Sequence, residues 1–155
     1  MSWASRLFGI EGEGNNHQVR IEVEQAHRRL LDQARDLARD AGLAPTAGAE
    51  AELRALSQED EALAKELQEQ LKALGAWFPV TPEVAPGASP NHWSRVAEAV
   101  DRHRNSRDQF LEAAMRLGET APDLAPLFER LSRIEGGHLV RLRNLVARAD
   151  PQALD

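Results

Sequence analysis

The chain has no cysteine and no tyrosine. Disulfides, thiolate metal sites, iron–sulfur clusters and a thiol nucleophile are therefore excluded, as are tyrosyl radicals and phenolic acids. Positive charge is in deficit, with 19 Lys+Arg against 25 Asp+Glu and a formal charge of −6. That balance argues against a nucleic-acid partner, which calls for net positive charge or a basic stripe. No apolar run approaches the roughly 20 residues that span a bilayer. Met1–Ile10 carries one charge, Arg6, and too short an apolar stretch for a secretory signal. A cytoplasmic location is expected. The 155 residues suit a single shared core.

What the sequence does contain is helical periodicity. From about His17 to Ala41, apolar residues fall at Val19, Val23, Ala26, Leu30, Ala34, Leu37 and Ala41, steps of three and four that only a helix gathers on one face. Asn15 or Asn16 is expected to cap this run and Gly42 to end it. A second run covers Gly48 to Leu74, with Thr46 as its cap and Gly75 after it. The third follows Ser89-Pro90, read as a cap with proline at the first helical position, and is expected to end at Gly118. The fourth extends from about Pro122 to Ala149. Four helices without a strand pattern predict an all-α four-helix bundle over residues 17–149. Residues 1–16 form an N-terminal arm, with Trp3, Leu7 and Phe8 ahead of a break at Gly12 and Gly14. Residues 150–155 form a C-terminal tail. The arm, and residues 1–10 above all, either packs on the bundle or a neighbouring copy, or docks on a partner or a membrane surface.

Loop lengths constrain the topology. About five residues join the first two helices and the last two, so each pair is an antiparallel hairpin. Between the hairpins lies a stretch with Pro79, Pro82, Pro86 and Pro90. Its fourteen or so residues reach about 45 Å when extended, against about 39 Å for a 26-residue helix. A long Pro-rich crossover along the bundle is favoured over an up-down-up-down arrangement. Sliding the chain by 76 positions pairs His27-Arg28 with His103-Arg104 and Asp32-Gln33 with Asp108-Gln109. A slide of 75 pairs Leu56-Ser57 with Leu131-Ser132 and Asp60 with Glu135. The pattern suggests a duplicated hairpin with a pseudo-twofold axis.

Polar residues on the apolar stripes are the candidate functional groups. At about 100° per residue, Asp60, His103, Arg107, Glu135 and His138 point inward with His27, whereas Glu22 and Glu98 point sideways or outward. Unpaired polar groups in such a core cost several kcal/mol each, so the set needs partners. A divalent ion satisfies imidazole nitrogens and carboxylate oxygens together. Glu135-Gly-Gly-His138 puts both donor types on one helix face, and its glycines suggest close backbone approach. An N/O donor set favours iron, manganese or zinc. The expected ligands are His27, Asp60, His103, Glu135 and His138, with Arg107 as a charge behind them.

The stretch APLFERLSRIEGGHLVRLRNL, carrying Glu135 and His138, resembles the fourth helix of the ferritin-like superfamily, in particular its rubrerythrin-like branch. The resemblance implies two hairpins joined by a long crossover and a metal site with redox or storage use. It also implies carboxylates on the first helix of each hairpin, where this chain has His27 and His103. On the second helix this chain has Asp60 and Leu63 in place of Glu-x-x-His.

A metal-free alternative stays open. Asp60, Glu135 and Arg107 then form a buried salt-bridge network with the histidines hydrogen-bonded to it. The protein would act as an interaction module, a homo-oligomer or one docking through its arm and the Trp77-Phe78 and Trp93 surface. Ser106 has no loop or oxyanion donor around it for hydrolase chemistry. GIEGEG follows no strand, as a phosphate loop would. An axial haem ligand at His138 is the remaining minor alternative. The run QEDEALAKELQEQLK reads as a solvated helix face.

Overall fold

The computed structural model describes residues 10–77, 79–80 and 87–149. They form four helices, α1 (Ile10–Gly42), α2 (Ala47–Ala73), α3 (His92–Thr120) and α4 (Ala125–Ala149), with no strand among the described residues. The all-α bundle stands as expected. Most of the expected arm and the whole C-terminal tail lie outside the described residues, as does Phe78.

Helix ends follow local chemistry, with some shifts from expectation. Thr46 caps α2, its side chain accepting from Ala49 N–H at 3.2 Å. At the other end Gly75 takes φ +65, Gly75 N–H donates to Lys72 O and Ala76 N–H to Leu71 O. That pair of bonds is a Schellman turn, and the positive φ is why glycine ends this helix. The cap of α3 is Asn91, which accepts from Ser94 N–H at 2.8 Å, rather than Ser89. Helix α1 reaches back to Ile10, so Gly12 and Gly14 lie within it, and Asn15 and Asn16 are not caps. Isolated glycines cost a helix only about 1 kcal/mol each. Similarly, α3 runs through Gly118 to Thr120.

Cross-helix contacts set the directions. Arg116 pairs with Glu22 near one end of α1, and Arg95 donates to Leu43 O near the other, so α1 and α3 are antiparallel. Arg130 with Glu66 and Arg141 with Glu52 make α2 and α4 antiparallel in the same way. Because α1 and α2 also form a hairpin, α2 ends at one end of the bundle and α3 starts at the other. The connection between them joins opposite ends of the bundle, and α2 and α3 occupy diagonal corners with no close backbone approach. This is the long crossover favoured from loop lengths.

The hairpins are pseudo-equivalent, but not in the register that the sequence matches suggest. Ser57 Oγ donates to Ala34 O at 2.7 Å, and Ser132 Oγ to Arg107 O at 2.9 Å. Arg29 meets Gln109 as Arg102 meets Asp36. In the first helices these pairs relate Ala34 to Arg107 and Arg29 to Arg102. The equivalent of His103 is thus Leu30, and His27 lies nearly one turn away.

Two apolar clusters fill the interior. One holds Leu30, Leu67, Phe110 and Phe128, the rings of the last two meeting edge to face at 6.3 Å. The other holds Leu37, Leu53, Leu56, Val96 and Leu142. Each fully buried side chain of this size stabilises the fold by about 1.5–3 kcal/mol. Between the clusters lies a polar layer.

Candidate metal centre

Asp60 of α2, His103 of α3, and Glu135 and His138 of α4 make this layer. Each offers a ligand atom, and the four atoms lie within 4.8 Å of one another. Asp60 and Glu135 are 0 % exposed, His103 1 % and His138 2 %. Ion-bound donors about 2.1 Å from a centre stand roughly 3.4 Å apart in a tetrahedral site, so small side-chain rotations close this set on one cation.

The hydrogen bonds fix which atoms face inward. His103 Nδ1 donates to Glu135 Oε2 at 2.6 Å, and His138 Nε2 to Glu59 Oε2 at 2.8 Å. In a neutral imidazole the other nitrogen then carries the lone pair. Those nitrogens, His103 Nε2 and His138 Nδ1, are both buried without a hydrogen-bond partner, and so is Asp60 Oδ1. His138 Nδ1 stands 3.4 Å from Asp60 Oδ1, and His103 Nε2 is 3.9 Å from Asp60 Oδ2. The rings lie 5.6 Å apart, edge to face. With both rings neutral and Asp60 ionised, these atoms are acceptors gathered about the Asp60 carboxylate with no donor among them.

The electrostatics follow from burial and crowding. Burial raises the Asp60 pKa, and neighbouring Glu135 adds to the rise against the opposing pull of the histidines. Burial pulls His138 down, but Asp60, Glu135 and Glu59 outweigh it and the net shift is upward. Glu59 is held below its usual range because Arg141 and His138 overcome its own partial burial. Arg141 Nη1 donates to both Glu59 oxygens, at 2.8 and 2.9 Å, and its Nε donates to Glu52.

From α1 the layer receives Gln33, not His27. Gln33 Nε2 donates to Asp60 Oδ2 at 3.3 Å and to Glu135 Oε1 at 3.0 Å, while its Oε1 accepts from Ser106. One amide bridges two carboxylates that would otherwise repel. His27 is buried elsewhere, beside a cavity of about 620 Å3 lined also by Leu71, Ala76, Pro79 and Val80. Burial, then Arg28, lowers its pKa. With Ser57 set against Ala34, His27 falls level with Ala64, a full turn from Asp60.

Other expectations need correction. The Arg107 side chain is 38 % exposed and pairs with Asp108 at 2.8 Å, so it brings no charge to the layer. A Cβ placed on Gly136 or Gly137 meets nothing within 4 Å, so neither serves a close backbone approach. Glu22, expected outward, is buried against Arg116 at 2.6 Å. Sequence reasoning missed Gln33 and Glu59. Gln33 was legible, since it lies between Leu30 and Leu37 on the α1 stripe; Glu59 sits in a charge run and gives no such signal.

No helix among the described residues is long and apolar enough to cross a membrane. Compared with models of known protein families and with curated proteins, the chain matches none. The layer itself supports two statements. It can hold a metal ion, and it also forms salt bridges.

Proposed function

We propose that the protein is a metal-binding bundle that holds one divalent ion through Asp60, His103, Glu135 and His138. The observation that carries this reading is the convergence of His103 Nε2, His138 Nδ1 and Asp60 Oδ1, three buried acceptors without a donor. Leaving such groups unpaired costs about 1–3 kcal/mol each, and a cation satisfies all of them. Two carboxylates neutralise one divalent charge. A second ion would leave excess positive charge in a dry layer, which is strongly unfavourable. The site is therefore mononuclear.

Two nitrogens with two oxygens suit iron(II), manganese(II) or zinc. The diagonal placement of α2 and α3 and the end-to-end crossover support the ferritin-like comparison. The ligand set departs from it, because α1 contributes an amide where that comparison calls for a carboxylate. A fully enclosed layer also favours a resident ion over stored cargo. When bound, such an ion supplies Lewis acidity or, as iron or manganese, electron transfer. The residues of this chain hold the imidazoles in one tautomer, through Glu135 for His103 and Glu59 for His138, and exclude water.

The ion pairs of the layer favour one second reading. If His138 is doubly protonated, its Nδ1–H faces Asp60 and the layer becomes a metal-free network. Elemental analysis of protein purified without chelator separates the two. About one iron, manganese or zinc per chain, lost in His138→Ala, supports the metal reading. Metal-free protein that stays so after loading overturns it.

A further inference from the structure

Gly136 and Gly137 interrupt α4 between two donors of the layer, Glu135 and His138, and neither is needed for a close packing contact. Glycines weaken a helix, and what they leave is bare surface. Arg130, Ile134, Gly137 and Arg141 follow at steps of four, three and four, which is one stripe of a helix. Arg130 reaches Glu66, and Arg141 reaches Glu52 and Glu59, so this stripe faces α2. Gly137 is exposed, and a Cβ on it would meet nothing within 4 Å. It leaves a notch in the seam between the two arginine bridges. Gly136 falls instead on the outer stripe with Arg133 and Val140, both exposed.

Of the neighbouring helix pairs, α2 and α4 pack least tightly, and long side chains tie them together. The register set by these bridges puts Gly137 level with Glu59 and Asp60. Here one side chain separates solvent from the layer. Glu59 is 45 % exposed, whereas His138, 2.8 Å from it, is 2 % exposed. The other sides are thicker. Within the hairpins the seams are closed by Ser57 on Ala34 O and by Ser132 on Arg107 O. The two apolar clusters close the layer along the bundle axis. Between α1 and α3 the buried pair Gln33 and Ser106 covers it, with the Arg29 guanidinium outside.

We propose that the divalent ion enters and leaves the layer through the notch at Gly137, that Glu59 receives it from solvent, and that Arg141 gates the passage by occupying Glu59. The inference rests on the metal reading above and adds the path and control of exchange. Arg141 Nη1 donates to both Glu59 oxygens. The receiving carboxylate is therefore closed to a cation until the guanidinium leaves it. Arg141 is one-third exposed, and ion pairs so open to water are weak enough to break. Its Nε already holds Glu52, so the guanidinium can pivot onto that carboxylate and free Glu59. From Glu59 the ion passes to Asp60, the next residue of α2 and fully buried. A side chain at position 137 would stand in this path, and glycine keeps it open.

The probe is zinc alone, with full-length protein. Uptake is followed by stopped flow against a metallochromic indicator, release by transfer to excess chelator, and affinity by equilibrium competition. A gate changes both rates together and leaves their ratio alone. Arg141→Gln is expected to speed uptake and release by about tenfold, and Gly137→Leu to slow both by about the same factor. Affinity stays near wild type in each, which also shows that the site remains folded. Gly136→Leu, on the outer stripe, is expected to keep wild-type rates. Unchanged rates in Gly137→Leu, or equal slowing in both glycine variants, overturn the route. A release rate that changes alone in Arg141→Gln, with affinity shifting to match, overturns the gate. Wild-type protein that takes up no zinc at equilibrium overturns the metal reading itself, whereas normal zinc binding with wild-type rates in every variant overturns the route alone.

Discussion

Glu59 Oε2 stands 2.8 Å from His138 Nε2, and this contact decides which ring nitrogen faces the core. A carboxylate behind a ligating imidazole fixes its tautomer and raises its basicity, and losing such a partner typically costs 10–100-fold in metal affinity. Glu59→Gln is expected to weaken zinc binding at least tenfold with the helix content unchanged. A competitive zinc titration reads this directly. Wild-type affinity in the variant would remove Glu59 from the site.

The two raised pKa values give opposite pH dependences for the metal-free and metal-bound forms. His138 is raised from 6.5, so its stabilisation is full below about 6.5 and is lost as pH rises through the higher folded value. Asp60 is raised from 3.8. Its folded form favours the proton, so stability also falls as pH climbs from the usual carboxylate range to the raised value. The melting temperature in chelator is expected to drop from pH 6 to 8. Zinc affinity should rise over the same interval, because the His138 proton must leave before the metal binds. Parallel pH trends for the two quantities would contradict the assignment.

Gln33→Leu removes the donor shared by Asp60 and Glu135. Two buried carboxylates then lose their common partner, at a cost of about 1–3 kcal/mol. Chemical denaturation in chelator should show that loss, and saturating zinc should recover part of it by binding only the folded state. An unchanged denaturation midpoint in chelator would mean that the amide bridge contributes nothing.

Gly136 and Gly137 lie inside α4 with open space where a Cβ would go. Gly136→Ala and Gly137→Ala should each stabilise the fold by about 1 kcal/mol and leave metal affinity as it was. Thermal melts paired with zinc titration check both statements.

Much of this arrangement was legible in the sequence for identifiable reasons. The stripes through Leu53, Leu56, Leu63 and Leu67, and through Leu131 and Leu142, set the inward direction of Asp60, Glu135 and His138. Four prolines after α2 gave the crossover. His27 and Arg107 show where angular reasoning stops. A residue near the stripe by angle still needs the right depth, and depth is set by how the hairpin closes. The contact of Ser57 with Ala34 puts Gln33, not His27, beside Asp60. Arg107 shares the α3 stripe by angle, but its long side chain reaches out to Asp108 and leaves only its backbone carbonyl facing Ser132. The link from Glu59 to His138 depends on how α2 and α4 sit side by side, which no single-helix pattern encodes.

The central claim is that one ion closes the layer formed by Asp60, His103, Glu135 and His138. Equilibrium titration of zinc, manganese and iron(II) into full-length wild type, with His103→Ala and Asp60→Asn alongside, tests it most directly. One ion per chain is expected in wild type, with loss of that binding in each variant and far-ultraviolet circular dichroism confirming that the variants remain helical. Absence of binding in wild type, or equal binding in folded His103→Ala, would contradict it.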